Sequence, residues 1–163
     1  MFEIQESSPG GDMRIAIVAA RFNRFIVDQL VEGAQNALDR QQIDPSKRAL
    51  LWVPGAYEIP LLADQLASSG KYDAVVCLGA VIRGGTPHFD FVAGECASGL
   101  TRVSLDHGIP VTFGVLTTEN VEQALERAAT DAGNKGFDVT MAAMEMVQTM
   151  RDVRRHLDGL PDS

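Results

Sequence analysis

Four short runs of nearly unbroken apolar residues constrain this chain more than any other feature. They are "RIAIVA" (14–19), "RALLWV" (48–53), "DAVVCLGAV" (73–81) and "PVTFGVL" (110–116). Each has the length of a strand, and none alternates apolar with polar, the pattern expected of strands buried on both faces. Helical periodicity fills the gaps between them. Ile26, Leu30, Val31, Ala34 and Leu38 recur at helical spacing, as do Ile59, Leu62, Ala63 and Leu66. A third stripe joins Phe89, Val92, Cys96, Leu100 and Val103, and a fourth joins Val121, Leu125, Ala128 and Ala132. A last helix is predicted from about Phe137 to Leu157, with Val139, Ala143, Met146, Met150 and Val153 on its apolar side as core filler.

Strands that alternate with helices in this way pair in parallel through crossovers, with helices covering both faces of the sheet. The expected fold is therefore a three-layer αβα sandwich around a four-stranded parallel sheet, built as one domain over residues 1–163. Residues 1–12 form an arm, flexible or docked, that is a candidate to add a strand to a neighbouring subunit's sheet edge. Residues 158–163 form a frayed tail. A formal charge of −8 argues against general affinity for nucleic acid or for an anionic membrane, both of which reward clustered Lys and Arg. No run of 18 apolar residues occurs, and "MFEIQESSPGGDM" lacks the basic-then-apolar form of a signal peptide, so a cytoplasmic protein is expected. Cys77 and Cys96 sit in apolar runs and read as buried free thiols, with no metal-ligand or redox spacing around them.

Ligands of open α/β sheets bind beyond the carboxyl ends of the strands, and that is where the unusual residues fall. "RFN" (21–23) follows the first strand, "PGAYEIP" (54–60) the second and "IRGGTPH" (82–88) the third. Gly84, Gly85 and Thr86 leave backbone amides open to an anion, and a helix starting near Pro87 to Phe89 adds its positive end. His88 lies beside that turn, where a histidine can shuttle protons, although a histidine also starts helices with no further role. Glu58 is either a general base or a first-turn carboxylate favoured by the helix dipole. Phe22 either stacks on a flat ring or packs, and Trp52 reads as core. His107 and His156 read as helix-end residues. Arg127 lies off its apolar stripe, on a helix expected to open near Thr118 with Glu119 and Glu122 in its first turn. That places it about 13 Å from the helix N-terminus at 1.5 Å per residue. From there it is better placed to reach a neighbouring subunit's strand edge than its own.

Taken in order, "RFN", "VPGAYEIP", "LGAVIRGGTPHFDFV", "FGVLTTENVEQALERA" and "AGNKG" resemble the 6,7-dimethyl-8-ribityllumazine synthases of riboflavin biosynthesis, over roughly residues 13 to 155. The resemblance implies a flavodoxin-like fold and a transferase. Its reaction condenses 5-amino-6-(D-ribitylamino)uracil with 3,4-dihydroxy-2-butanone 4-phosphate, with release of phosphate and water. By that resemblance Phe22 stacks on the pyrimidine, while Ala56, Tyr57 and Glu58 bind the ribitylaminouracil, Glu58 meeting the ribityl hydroxyls. Ala80, Val81 and Ile82 offer backbone contacts to the ring. Gly85 and Thr86 take the butanone phosphate, Arg127 closes on it, and His88 transfers protons. Phe113 and Lys135 complete the pocket from an adjacent subunit. The family needs no cofactor and no metal, and it assembles into pentamers and in many members a 60-mer shell, which can enclose riboflavin synthase. The small residues Gly94, Ala97, Ser98 and Gly99 are compatible with close helix packing around a five-fold axis, and the absence of an insertion in "TDAGNKG" favours that shell. Asp131 stands where relatives commonly carry lysine, which predicts weaker affinity for the butanone phosphate. The rival reading is a non-catalytic flavin- or lumazine-binding or shell-forming protein of the same fold.

Overall fold

A computed structural model describes residues 1–10, 12–129 and 133–163. The four apolar runs are strands β1 (Ile15–Ala20), β2 (Arg48–Val53), β3 (Ala74–Ile82) and β4 (Val111–Thr118), all parallel, in the order β2-β1-β3-β4. Five helices separate and follow them: α1 (Arg24–Arg40), α2 (Ile59–Ser68), α3 (His88–His107), α4 (Val121–Arg127) and α5 (Lys135–Asp158). The expected three-layer, flavodoxin-like arrangement is the one observed.

Side-chain alternation along the strands splits the core in two. Ile15, Ile17 and Ala19 of β1 join Val76, Leu78 and Ala80 of β3 under α1, α4 and α5. Val18, Ala20, Val75 and Cys77 face the other way and meet Ile59, Ala63, Cys96, Leu100 and Val103 of α2 and α3. The central strands β1 and β3 are buried on both faces as expected, but β2 is mostly half-buried, because it is an edge strand. The two later strands run further than the apolar letters do. Ile82 pairs with Thr118, carrying the ladder through polar threonines at the carboxyl edge.

Three helical expectations need correction. In α4 the buried residue is Ala124, with Ala128 buried just after the helix, while Val121 and Leu125 are exposed; Ala132 lies outside the described residues. This helix opens after an Asn120 cap that accepts from the Gln123 amide, so Glu119 precedes it and Arg127 is its last residue. In α5 the buried face is Val139, Thr140, Ala143, Met144 and Val147, whereas Met146 and Val153 are exposed. The expected stripe repeats every 3.5 residues and drifts off the face that a 3.6-residue helix presents to the sheet. Trp52 is not fully core: it is half-buried, with the Arg24 guanidinium 3.9 Å from its ring centroid.

The arm lies against its own chain. Ser7 is buried and donates to Asp152 at 2.9 Å, and Phe2 stacks on His156 with centroids 3.6 Å apart. His107 ends α3 before the left-handed Gly108 and pairs with Asp64 of α2 at 2.7 Å. Of the small residues on α3, Gly99 packs against Pro60 of the same chain, while Gly94 and Ser98 are exposed.

Candidate functional site

The turn after β1 is tied to both neighbouring strand ends. The Arg21 amide donates to Val53 O at 2.8 Å and the Phe22 amide to Pro54 O at 3.1 Å, which fastens "RFN" to the end of β2. Asn23 adopts a left-handed conformation (φ 58°), tolerated by Asn among non-glycine residues, and its side chain donates to Ala80 O at 2.9 Å. One tripeptide thus joins three strand ends, and it holds Phe22 outward with 70% of its surface exposed.

The chain order reverses between β1 and β3, which makes their carboxyl ends the topological switch point of the sheet. A cleft of about 720 Å³ opens there. One wall is Phe22, then Pro54 to Glu58, in which residues Ala56–Glu58 form a 3₁₀ turn leading directly into α2. The other is the end of β3 (Ala80, Val81, Ile82), the glycine turn through Gly84 and Thr86, and the first turns of α3 with His88, Phe89, Phe91 and Val92. The lining is mainly apolar, with Glu58, Thr86 and His88 as its main polar side chains. Apolar walls with a few polar groups are the usual make-up of a small-molecule site. Phe22, Tyr57 and Phe91 are each more than half exposed around the same opening, an apolar patch of the kind that marks a binding surface.

His88 is the first residue of α3, so its imidazole and the unpaired amides of that helix start share one position. Among the described residues no group of His, Cys, Asp and Glu has the arrangement of a metal site. No described helix is long and apolar enough to cross a membrane. Burial pushes the thiol of Cys96 up to about 12 and raises that of Cys77, so both stay protonated and unreactive beneath the site.

A switch-point cleft with a helix-capped glycine turn matches many chemistries; the family comparison separates them. The model of 6,7-dimethyl-8-ribityllumazine synthase matches residues 12–151. The chain belongs to that family. Among solved structures, a GDP-L-fucose synthetase from Naegleria fowleri matches in an NADP-bound form (12% identity, TM-score 0.40) and in a second structure (10%, 0.39). These alignments cover 97% and 96% of this chain but 51% and 49% of theirs, so the chain spans about half the length of those structures. A likeness that remote adds nothing to the family assignment.

Of the residues singled out from the sequence, the cleft gathers Phe22, Ala56, Tyr57, Glu58, Ala80, Val81, Ile82, Thr86 and His88. Gly85 is exposed in the turn between two lining residues but does not itself line the cleft. Arg127, Lys135 and Phe113 are not brought to it either. Arg127 ends α4 and is exposed, Lys135 starts α5 and is exposed, and Phe113 lies half-buried on β4 opposite Cys77, below the strand edge. Asp131 lies outside the described residues. Ala20 and Phe91 line the cleft without having been singled out from the sequence, and Phe91 is the large side chain of the two. Its signal was present, since on a helix it sits three residues from His88 and hence on the same face.

Proposed function

We propose that this lumazine synthase family member condenses 5-amino-6-(D-ribitylamino)uracil with 3,4-dihydroxy-2-butanone 4-phosphate to 6,7-dimethyl-8-ribityllumazine, releasing phosphate and water. The observation that carries the proposal is the convergence of Phe22, Glu58, Thr86 and His88 on one switch-point cleft. In this reading Phe22 stacks on the pyrimidine and the peptide groups of Ala80 to Ile82 meet its polar edge. Ala56, Tyr57 and Glu58 hold the ribityl chain, and the Gly85–Thr86 turn receives the phosphate.

Holding two substrates in register replaces a bimolecular encounter and supplies much of the acceleration. Imine formation and loss of phosphate each move protons near neutral pH, the work of His88 at the start of α3. Backbone amides of the glycine turn stabilise the departing phosphate. Arg127, Phe113 and Lys135 complete the site from an adjacent copy, which accords with their position away from the cleft of their own chain. Pentamers, and from them a 60-mer shell able to enclose riboflavin synthase, are the assemblies this requires or permits. Mixing both substrates while following lumazine fluorescence and phosphate release tests the reaction. Equal rates of the two signals are expected. Tight binding of lumazine without phosphate release would favour the non-catalytic alternative.

A further inference from the structure

Arg83 stands between the glycine turn and the strand edge and is absent from every role given above. Its backbone amide donates to Thr118 O at 2.8 Å, the last rung between β3 and β4. Its guanidinium meets Glu119 (Nε to Oε2 2.9 Å) and Asp90 (3.5 Å), and lies 4.4 Å from the centroid of the Phe89 ring. Phe89 and Asp90 directly follow His88 in the first turn of α3. Glu119 belongs to the junction that starts α4: its amide donates to Gln123 Oε1, and the Gln123 amide donates back to Asn120 Oδ1. Arg127 is carried at the other end of that short helix.

We infer that Arg83 is a positioning residue that brackets the His88-bearing start of α3 to the Glu119 junction of α4, so that one side chain ties the placement of His88 to the end of β4. The inference rests on the proposed condensation for its catalytic consequence but not for its geometry. Only a planar, forked cation can take two carboxylates and an aromatic face together, a combination an ammonium cannot reproduce. The pairs are solvent-exposed and contribute little to global stability. Their effect is local: the turn between Arg83 and His88 contains Gly84 and Gly85, which have no side chains to fix it, and the bracket closes that turn from outside.

The test compares wild type with Arg83→Met, Arg83→Lys and Glu119→Gln in two measurements. Hydrogen exchange on the substrate-free protein is expected to rise in both 84–90 and 119–123 in each variant, while the rest of the chain and the melting temperature stay as in wild type. Steady-state turnover is expected to fall about tenfold in kcat in Arg83→Met and in Arg83→Lys alike, with the KM for ribitylaminouracil unchanged, as a misplaced catalytic group predicts. Exchange that changes in neither segment, or in only one, overturns the bracket. Full rescue of kcat by lysine overturns it too, since charge alone would then suffice. A wild-type protein that makes no lumazine, with exchange still coupled across the two segments, would refute the proposed condensation and leave the bracket standing.

Discussion

At the scale of single residues, His88 carries the sharpest expectation. His88→Ala should lower kcat about tenfold with little change in either KM, less than the 10²–10⁴ that general acid–base groups usually contribute, because substrate positioning supplies most of the rate. Steady-state kinetics with each substrate varied in turn checks both parts. Local chemistry made His88, Glu58 and Phe22 legible beforehand as cleft residues, since each is an unusual side chain in a segment that directly follows a strand. Phe91 was less legible: it falls off the apolar stripe of Phe89, Val92 and Cys96, although its spacing of three from His88 was there to be read. Arg83 was illegible, for its partners Glu119 and Asp90 meet only once β3 and β4 have paired. The cysteines make a pH prediction with a definite sign. Burial raises both thiols, Cys96 to about 12. The folded chain therefore holds protons that the unfolded chain loses above about pH 8.5. Stability falls as pH rises past that point. Urea melts from pH 7 to 10 should show a steeper alkaline loss in wild type than in Cys96→Val, and native thiols should resist a disulfide reagent until the protein unfolds.

At the scale of elements, the packing of α1 on α5 is the most demanding contact. A Cβ at Gly136 would strike the Leu30 backbone, which cannot rotate aside, and one at Gly33 would strike the Asn134 side chain. That side chain caps α5 by accepting from the Phe137 amide, and it donates to Gln29 O and Ala128 O. Gly136→Ala should therefore cost about 3 kcal/mol, at the upper end for overpacking, and chemical denaturation checks it. The smaller residue that each helix needs here was not visible in the sequence, where both glycines look like weak points in helices. The strands were visible because two-sided burial leaves an unbroken apolar run, as in "AIVAA" and "AVVCL". The distal half of α5 was misread for the opposite reason. It continues beyond the part packed on the sheet, so Val153 serves no buried face in this chain, whereas Met146, between the buried Met144 and Val147, is exposed because it lies off the face that α5 turns to the sheet. The short α4 was misplaced because Thr118 and Glu119 look like a helix start until β4 claims the first of them for its ladder.

At the scale of the whole molecule, the described lining of the cleft includes the exposed Phe22 and a histidine but no cation of the kind that the proposed phosphate ester calls for. Arg127 is exposed at the end of α4 and is not among the described lining residues of the cleft. Lys135 and Phe113 also lie away from it, the latter on the edge strand β4. Large apolar side chains are also exposed on α2 and along α3, Leu61 and Leu105 at 77% each and Phe91 at 68%. The proposed head-to-tail ring would account for both facts, each copy offering its cleft to one neighbour and its Arg127 to the other. Arg127→Ala and His88→Ala chains, each defective alone, should then complement when unfolded together and reassembled. An intact site needs His88 from one copy and Arg127 from the next. Random mixing at equal amounts therefore predicts recovery to about a quarter of wild-type activity in a heterologous ring. Simple mixing without reassembly serves as the control and should stay at the mean of the two parents. Recovery that never exceeds that mean would place Arg127 and His88 in one chain's site and remove the need for the ring.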